Sequence, residues 1–212
     1  MKNILILGAS GQIAQWVIKT MAGNQEIHQT LLLRDPGKLT GEEPANARLV
    51  IGNALDMKLL KSAMVGQDIV YANLTGEDID AQARSVITAM KAVGVKRLVF
   101  VLSLGIYDEV PGKFGAWNKA IIGEELKPFR RAADAIEASG LDYTILRPAW
   151  LMDEDEVDYE LTSKGQSFKG TVVSRKSVGD LIAKIIALPD LYVGESLGVS
   201  KPDSDGDKPY FT

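Results

Sequence analysis

The chain contains no cysteine and one histidine, His28. Neither disulfides nor thiolate metal sites are available, and a single imidazole does not make a histidine-based metal centre; no metal is expected. Ser103 has no histidine partner at a plausible place, so nothing supports a serine hydrolase triad. Basic charge is also short. With 24 Lys and Arg against 28 Asp and Glu the net charge is -4, which offers no footprint for a nucleic-acid backbone and makes nucleic acid an unexpected partner. No apolar run approaches the length that spans a bilayer, so no membrane partner is expected. The start "MKNILILGASG" lacks the apolar region and cleavage site of a secretory signal, and a cytoplasmic location follows as the expectation.

What is present is ordinary globular composition, 46% hydrophobic and 25% charged over 212 residues. That length suits a single domain spanning 1–212. The runs "NILILG", "QTLLLR", "ARLVIG", "DIVYAN", "RLVFVLS" and "DYTILRP" are nearly continuous in Ile, Leu and Val, as strands buried on both faces of a parallel sheet are. Helical spacing recurs between them, in 12–22 (Ile13, Val17, Ile18, Met21), 56–65 (Leu59, Leu60, Ala63, Met64) and 78–93 (Ile79, Ala83, Val86, Ile87, Met90, Val93). Strand and helix alternating through residue 147 predict an α/β fold with a doubly wound parallel sheet, the Rossmann arrangement, in strand order 3-2-1-4-5-6 plus a further strand.

The stretch 104–125, with Pro111 and glycines at 105, 112 and 115, reads as a loop and part of a lid, before a helix at about 125–139. After Pro148 the alternation weakens, and about 149–212 are expected to contribute a small C-terminal substrate lobe. "DEDEVDYE" reads as a solvated acidic loop rather than a cation site, for it lacks the glycine and spacing of a calcium loop. "SRKSVGDLIAKIIALPD" reads as a helix capped by Ser174, "ESLGVS" as a strand, and "KPDSDGDKP" as a tail that frays or packs loosely. His28 is placed before the second strand as a surface residue.

"ILILGASGQIA" is a strand running through a glycine turn into a helix. Gly8 permits the tight turn, Gly11 lets backbone approach a pyrophosphate at the helix N-terminus, and Ala14 takes the helix-to-strand packing position. Gly8, Ala9, Ser10, Gly11, Gln12 and Ile13 are the candidate phosphate-binding residues. A bare glycine match is weak, but this one follows the first strand and heads an alternating pattern, the context the motif requires. Arg34 sits first after the second strand with Lys38 close behind. A guanidinium there pairs with a ribose 2'-phosphate and favours NADP, whereas Asp35 accepting from a 2'-hydroxyl keeps NAD open.

Taken in order, "GASGQIA", "LLLRDPGKL", "GNALD", "RLVFVLSLG" and "ASGLDYTILRPAWL" resemble the atypical short-chain dehydrogenase/reductases of the NmrA-like, NAD(P)H-binding group over most of residues 1–200. The resemblance implies that Asn53 and Ala54 lie beside the adenine, with Asn53 where the family has an acid. Asp56 is either part of that motif or an N-cap. It implies that Asn73, Leu74 and Thr75 line the cofactor ribose, that Ser103 sits at the nicotinamide, and that Pro148 packs on the nicotinamide side. Trp150 beside it reads as a pocket wall or a core residue. In catalytic relatives the Ser works with a Tyr-x-x-x-Lys pair. Here Leu126 falls at the Tyr position and Arg130 at the Lys position, so the usual proton relay is absent. Tyr107 is the candidate substitute donor, a packing tyrosine being the other reading. Lys119 and Lys127 are weaker candidates.

Three functions follow as expectations. The first is an NADP-dependent oxidoreductase passing a hydride to a small electrophile such as a quinone, flavin or carbonyl, acting as monomer or homodimer. The second is a nucleotide-sensing binding protein without turnover; the third, weaker, is a sugar-nucleotide epimerase or dehydratase.

Overall fold

The computed structural model describes residues 1–39 and 43–212. Strand β1 (Lys2–Leu7) leads through the glycine turn into α1 (Gln12–Met21), then β2 (Ile27–Leu33), β3 (Ala47–Ile51), α2 (Met57–Met64), β4 (Ile69–Ala72), α3 (Ile79–Val93) and β5 (Arg97–Val101). Two helices follow, α4 (Gly112–Ile122) and α5 (Leu126–Glu137), and then β6 (Asp142–Pro148). The rest of the chain forms β7 (Trp150–Met152), β8 (Glu160–Ser163), β9 (Val172–Ser174), α6 (Arg175–Ala187) and β10 (Glu195–Ser200).

The main sheet runs β3-β2-β1-β4-β5-β6-β10-β8, so the order 3-2-1-4-5-6 holds, and two strands, β10 and β8, are added beyond it where one was expected. All its pairings are parallel except β8 against β10, and β7 and β9 form a separate parallel pair. The residues after Pro148 therefore supply two strands of the main sheet as well as the small one.

The hydrophobic runs are continuous because successive side chains enter two different cores. Ile4 and Ile6 face α1 and α6, while Leu5 and Leu7 face the layer with α2, α3 and α5; all four are fully buried. At Gly179 a Cβ would stand 2.7 Å from the Trp16 Cβ, so that glycine lets α6 lie against α1. Arg97 opens β5 at the opposite end from the glycine turn. Its guanidinium donates to the carbonyls of Asp142 (2.9 Å) and Leu191 (3.0 Å) and to Thr144 Oγ1 (2.8 Å), tying the α6–β10 connection to the sheet.

Strand order reverses about β1, which pairs with β2 on one side and β4 on the other. The carboxyl ends of those strands form the crevice where open parallel sheets take ligands.

Three expectations need correction. The stretch 104–125 contains α4, with Phe114 and Asn118 buried. Proline opens a helix at no cost in hydrogen bonds, and Gly115 is there because a Cβ would stand 2.0 Å from the Val110 carbonyl oxygen. The tail is tied down: Thr171 Oγ1 donates to Ser204 O at 2.6 Å and Gly170 N–H to Asp205 Oδ1 at 2.9 Å. His28 is the second residue of β2, paired with Asn3, rather than preceding the strand.

Candidate functional site

At the end of β1 the chain turns on Gly8, whose φ of +73° favours glycine. The N–H groups of Gly8 and Ala9 both donate to Leu32 O, at 2.9 and 3.1 Å, fastening the turn to β2. A Cβ on Gly8 would stand 2.2 Å from Asn73 O, and one on Gly11 would stand 1.9 Å from Asn73 Nδ2. Both glycines thus make room for Asn73, which is a reason for Gly11 beyond approach to a phosphate. Asn73 Oδ1 in turn accepts from Tyr71 OH at 3.2 Å. Burial of Tyr71 pushes its phenol pKa well above the ordinary value, so it stays a donor.

No side chain caps α1. Side chains cap α2, where Asp56 Oδ1 accepts from Leu59 N–H at 3.0 Å, and α6, where Ser174 Oγ accepts from Ser177 N–H at 2.9 Å, while α3, α4 and α5 share the uncapped state of α1. An uncapped first turn leaves N–H groups and the positive end of the helix dipole available to an anion.

This turn floors a cleft of about 580 Å³. Among the sequence-predicted residues, Gly8, Ser10, Gly11, Gln12, Ile13, Arg34, Asn53, Ala54, Asn73, Leu74 and Thr75 line it. Ala9 is fully buried and is not a lining residue. At one end Arg34 and Lys38 are exposed cations. Asp35 lines the cleft as well, but its Oδ1 accepts from Gly37 N–H at 3.0 Å and caps the short turn Pro36–Lys38. Asn53 Oδ1 accepts from Leu55 N–H at 3.0 Å, and Asp56 is an N-cap. After β4 the lining stays polar, with Thr75, Asp78 and Gln82, and toward β5 it becomes apolar, with Val101, Leu102, Phe129 and Leu151, joined by Arg175.

Ser103, Tyr107 and Pro148 do not line the cleft. Ser103 follows β5 and is half-buried; Pro148 is buried at the end of β6, where its carbonyl accepts from Leu104 N–H at 3.2 Å. Tyr107 points elsewhere. Its hydroxyl donates to Glu137 Oε1 at 2.7 Å and lies 3.2 Å from Ser196 Oγ, while Arg130, Arg147 and Lys164 flank its ring at 5.2, 5.2 and 4.5 Å. Burial, with the Glu137 carboxylate adding to it against the Ser196 hydrogen bond, raises its pKa far above the ordinary tyrosine value. Leu126 packs in the α3–α5 layer, and Arg130 pairs with Asp134 at 2.8 Å. Trp150 sits against Trp117, ring centroids 4.8 Å apart, and donates to Asn118 Oδ1 at 2.9 Å.

The acidic run is neutralised piecewise by Asp153–Arg175 (2.8 Å), Asp155–Lys176 (2.6 Å) and Glu156–Lys201 (2.7 Å). Among the described residues no group of His, Asp or Glu is placed to hold a metal ion, and no helix is long and apolar enough to cross a membrane.

Sequence reasoning missed Phe129, Leu151 and Arg175 at the cleft, and it missed the buried pair Arg147–Glu109. Arg147 carried a signal: a lone cation inside the apolar strand "DYTILRP" is buried only when paired. Its side chain is 0% exposed and that of Glu109 5%. The Glu109 carboxylate also accepts from the N–H groups of Gly105 (3.1 Å) and Tyr107 (2.9 Å), so the pair holds the segment after Ser103 against β6.

Residues 8–189 match the NAD(P)H-binding family. The chain belongs to that family. A Rossmann-fold NAD(P)-binding family protein from Shigella flexneri is 59% identical, with TM-score 0.88 and complete coverage of both chains. A short-chain dehydrogenase/reductase of wide type from Veillonella parvula DSM 2008, solved in complex with NADP, is 28% identical with TM-score 0.92 over 99% of each chain. Among curated proteins, the "Uncharacterized sugar epimerase YhfK" of Bacillus subtilis (strain 168) is 29% identical over 168 residues, 72% of this chain and 73% of that protein. The fold and the family are thereby those of an NAD(P)-binding oxidoreductase-like protein.

Proposed function

We propose that this chain is an NADP(H)-dependent reductase that delivers a hydride to a small electron-poor acceptor, a quinone, flavin or carbonyl. The observation that carries the reading is the pairing within one cleft of an uncapped helix N-terminus with Arg34 and Lys38 at one end and an apolar wall at the other.

The residues fit the cofactor. The N–H groups of Ser10, Gln12 and Ile13 would hold the pyrophosphate, that of Gly11 being donated to Gly8 O at 2.9 Å, and Asn53 and Ala54 would hold the adenine side. Arg34 and Lys38 would hold a 2'-phosphate, while Asp35 has one carboxylate oxygen engaged by Gly37 N–H. The Veillonella relative's complex with NADP supports the same choice. When bound, the nicotinamide supplies the hydride. Val101, Leu102, Phe129 and Leu151 would exclude water from that end and give a planar apolar acceptor a face to stack on. Ser103, two residues beyond β5, and Pro148, the last residue of β6, remain candidates for shaping this end of the site.

Among the described residues no tyrosine lines the cleft, so no tyrosine and lysine pair stands there. The chain therefore suits acceptors that need no enzyme-borne proton at the moment of transfer, and this weakens an epimerase or dehydratase reading in spite of the Bacillus relative's name. The same gap favours a second reading, a nucleotide sensor without turnover. Titration with NADPH and with NADH by cofactor fluorescence, then a screen for nicotinamide oxidation with quinones, flavins and aldehydes, separates the two. The reductase reading expects tighter NADPH binding, lost in Arg34→Ala, and turnover of at least one acceptor. Tight binding with no turnover across the screen leaves the sensor, and binding of neither nucleotide overturns both.

A further inference from the structure

We infer that Arg175 is a second, displaceable anion-binding group of the cleft: its guanidinium leaves Asp153 and takes a pyrophosphate oxygen of the dinucleotide. The inference rests on the reading of the cleft as a nucleotide site and adds a residue and a conformational step to it.

Arg175 lines the same cleft as Ser10, Gly11, Gln12 and Ile13. Its one ion-pair partner among the described residues is Asp153, at 2.8 Å. The two differ in setting. The arginine side chain is 18% exposed and is held by its position, while the aspartate is 73% exposed and projects from the outside. Asp153 lines a separate groove along α1, with Gln12, Gln15 and Trp16. Gln12 borders both concavities, so the pair stands at the rim between them, next to the uncapped end of α1.

The backbone that carries Arg175 is fixed. Ser174 Oγ accepts from Ser177 N–H at 2.9 Å and donates to Glu156 O at 2.8 Å, and α6 lies against α1 through Gly179. Only the side chain has to turn. An exposed carboxylate is a weak partner, because water competes for it and salt screens it. A pyrophosphate oxygen held by helix N–H groups is desolvated on one side, and a guanidinium binds such oxyanions in a charge-assisted, often bidentate manner. Exchange of the first partner for the second is therefore favourable. Asp153 keeps the arginine paired while no nucleotide is bound. The neighbouring pair Asp155–Lys176 has the same chemistry at 2.6 Å, but its lysine lies over Trp16, 5.6 Å from the ring centroid, and does not line the cleft. It is the internal control.

The test is equilibrium titration of the full chain with two probes, NADPH and 2'-AMP, the second having the 2'-phosphate without the pyrophosphate. Arg175→Gln is expected to weaken NADPH about tenfold, the size of one charge-assisted contact, and to leave 2'-AMP unchanged. Asp153→Asn is expected to tighten NADPH severalfold by removing the competitor, and Lys176→Gln to change neither probe. Equal weakening of both probes by Arg175→Gln, or no weakening of NADPH, overturns the assignment. So does an unchanged NADPH affinity with a raised KM for an anionic quinone, which would give the guanidinium to the acceptor instead. If the unaltered chain binds neither probe, the nucleotide reading itself has failed, a result distinct from those.

Discussion

Arg147→Met tests how the segment after β5 is held. The substitution keeps the bulk and length of the side chain but leaves the Glu109 carboxylate, 5% exposed, with only the N–H groups of Gly105 and Tyr107. It also strips the arginine's donors from Ser196 and Thr162. Removing one partner of a buried ion pair costs about 3–5 kcal/mol, since the survivor stays desolvated and uncompensated. At roughly 2–4 °C per kcal/mol for a chain of this size, the midpoint of thermal unfolding should fall by about 10 °C or more. Adding Glu109→Gln removes the stranded charge but keeps an acceptor for only one of the two N–H groups, since Gly105 N–H bonds Oε1 and Tyr107 N–H bonds Oε2, so the double variant should recover about 1 kcal/mol over Arg147→Met. Urea unfolding at constant slope measures both differences. A single variant within about 1 kcal/mol of the unaltered chain, or a double variant no more stable than the single, would refute the argument that burial sets the cost.

Gly11→Ala places a methyl group 1.9 Å from Asn73 Nδ2, and forcing that neighbour aside should cost about 1–3 kcal/mol along with NADPH affinity, read by paired unfolding and binding titrations. Ser174→Ala removes the α6 cap and its hydrogen bond to Glu156 O; a loss of about 1–2 kcal/mol in urea unfolding is expected, larger than for an exposed cap because the site is buried. Tyr71 and Tyr107 have pKa values raised in the folded state, chiefly by burial. For a group so shifted, stability is fully present below the unfolded value of about 10 and is lost as pH rises above it, so urea stability should decline through that range. Tyr71→Phe and Tyr107→Phe should each flatten the decline; tyrosinate absorbance rising fully at the ordinary pKa would contradict this.

The alternation of strand and helix was legible because each buried strand shows an unbroken apolar run and each amphipathic helix a stripe. The stripe fails at α4. That helix buries Phe114 and Asn118 but carries glycines at 112 and 115, and Gly115 serves a close approach to Val110 O that leaves no trace in spacing. The same blindness applies to Gly11. Sequence context assigns it to a ligand, whereas the atom nearest its absent Cβ belongs to Asn73, more than sixty residues on. The glycine turn, Arg34 and the residues at the ends of β3 and β4 were legible as a set, since the order of a doubly wound sheet brings those strand ends to one crevice. Phe129, Leu151 and Arg175 were not, because they reach it from elements whose placement depends on how α5 and α6 pack.

The polar groups in and around the cleft divide into two kinds, and the division bears on function. Along the floor they are backbone N–H groups and amides, fixed by the turn and by Asn73, and suited to holding an anion that is always charged. Past Ser103 they are side chains already paired, the Glu109 carboxylate with Arg147 and the neutral Tyr107 phenol with Glu137, and they do not line the cleft. A proton relay needs a titratable group that faces substrate and is free to change state. The tyrosine here has been spent on holding its own loop, with its proton fixed by burial and a carboxylate. Selection of an acceptor would then rest on shape and on the apolar wall, not on acid strength, so that across quinones of graded size turnover should follow fit to Phe129 and Leu151 more closely than carbonyl basicity. Phe129→Ala should lower turnover most for the largest planar quinone and least for the smallest. A loss that instead tracks acceptor basicity would return the search to a proton donor.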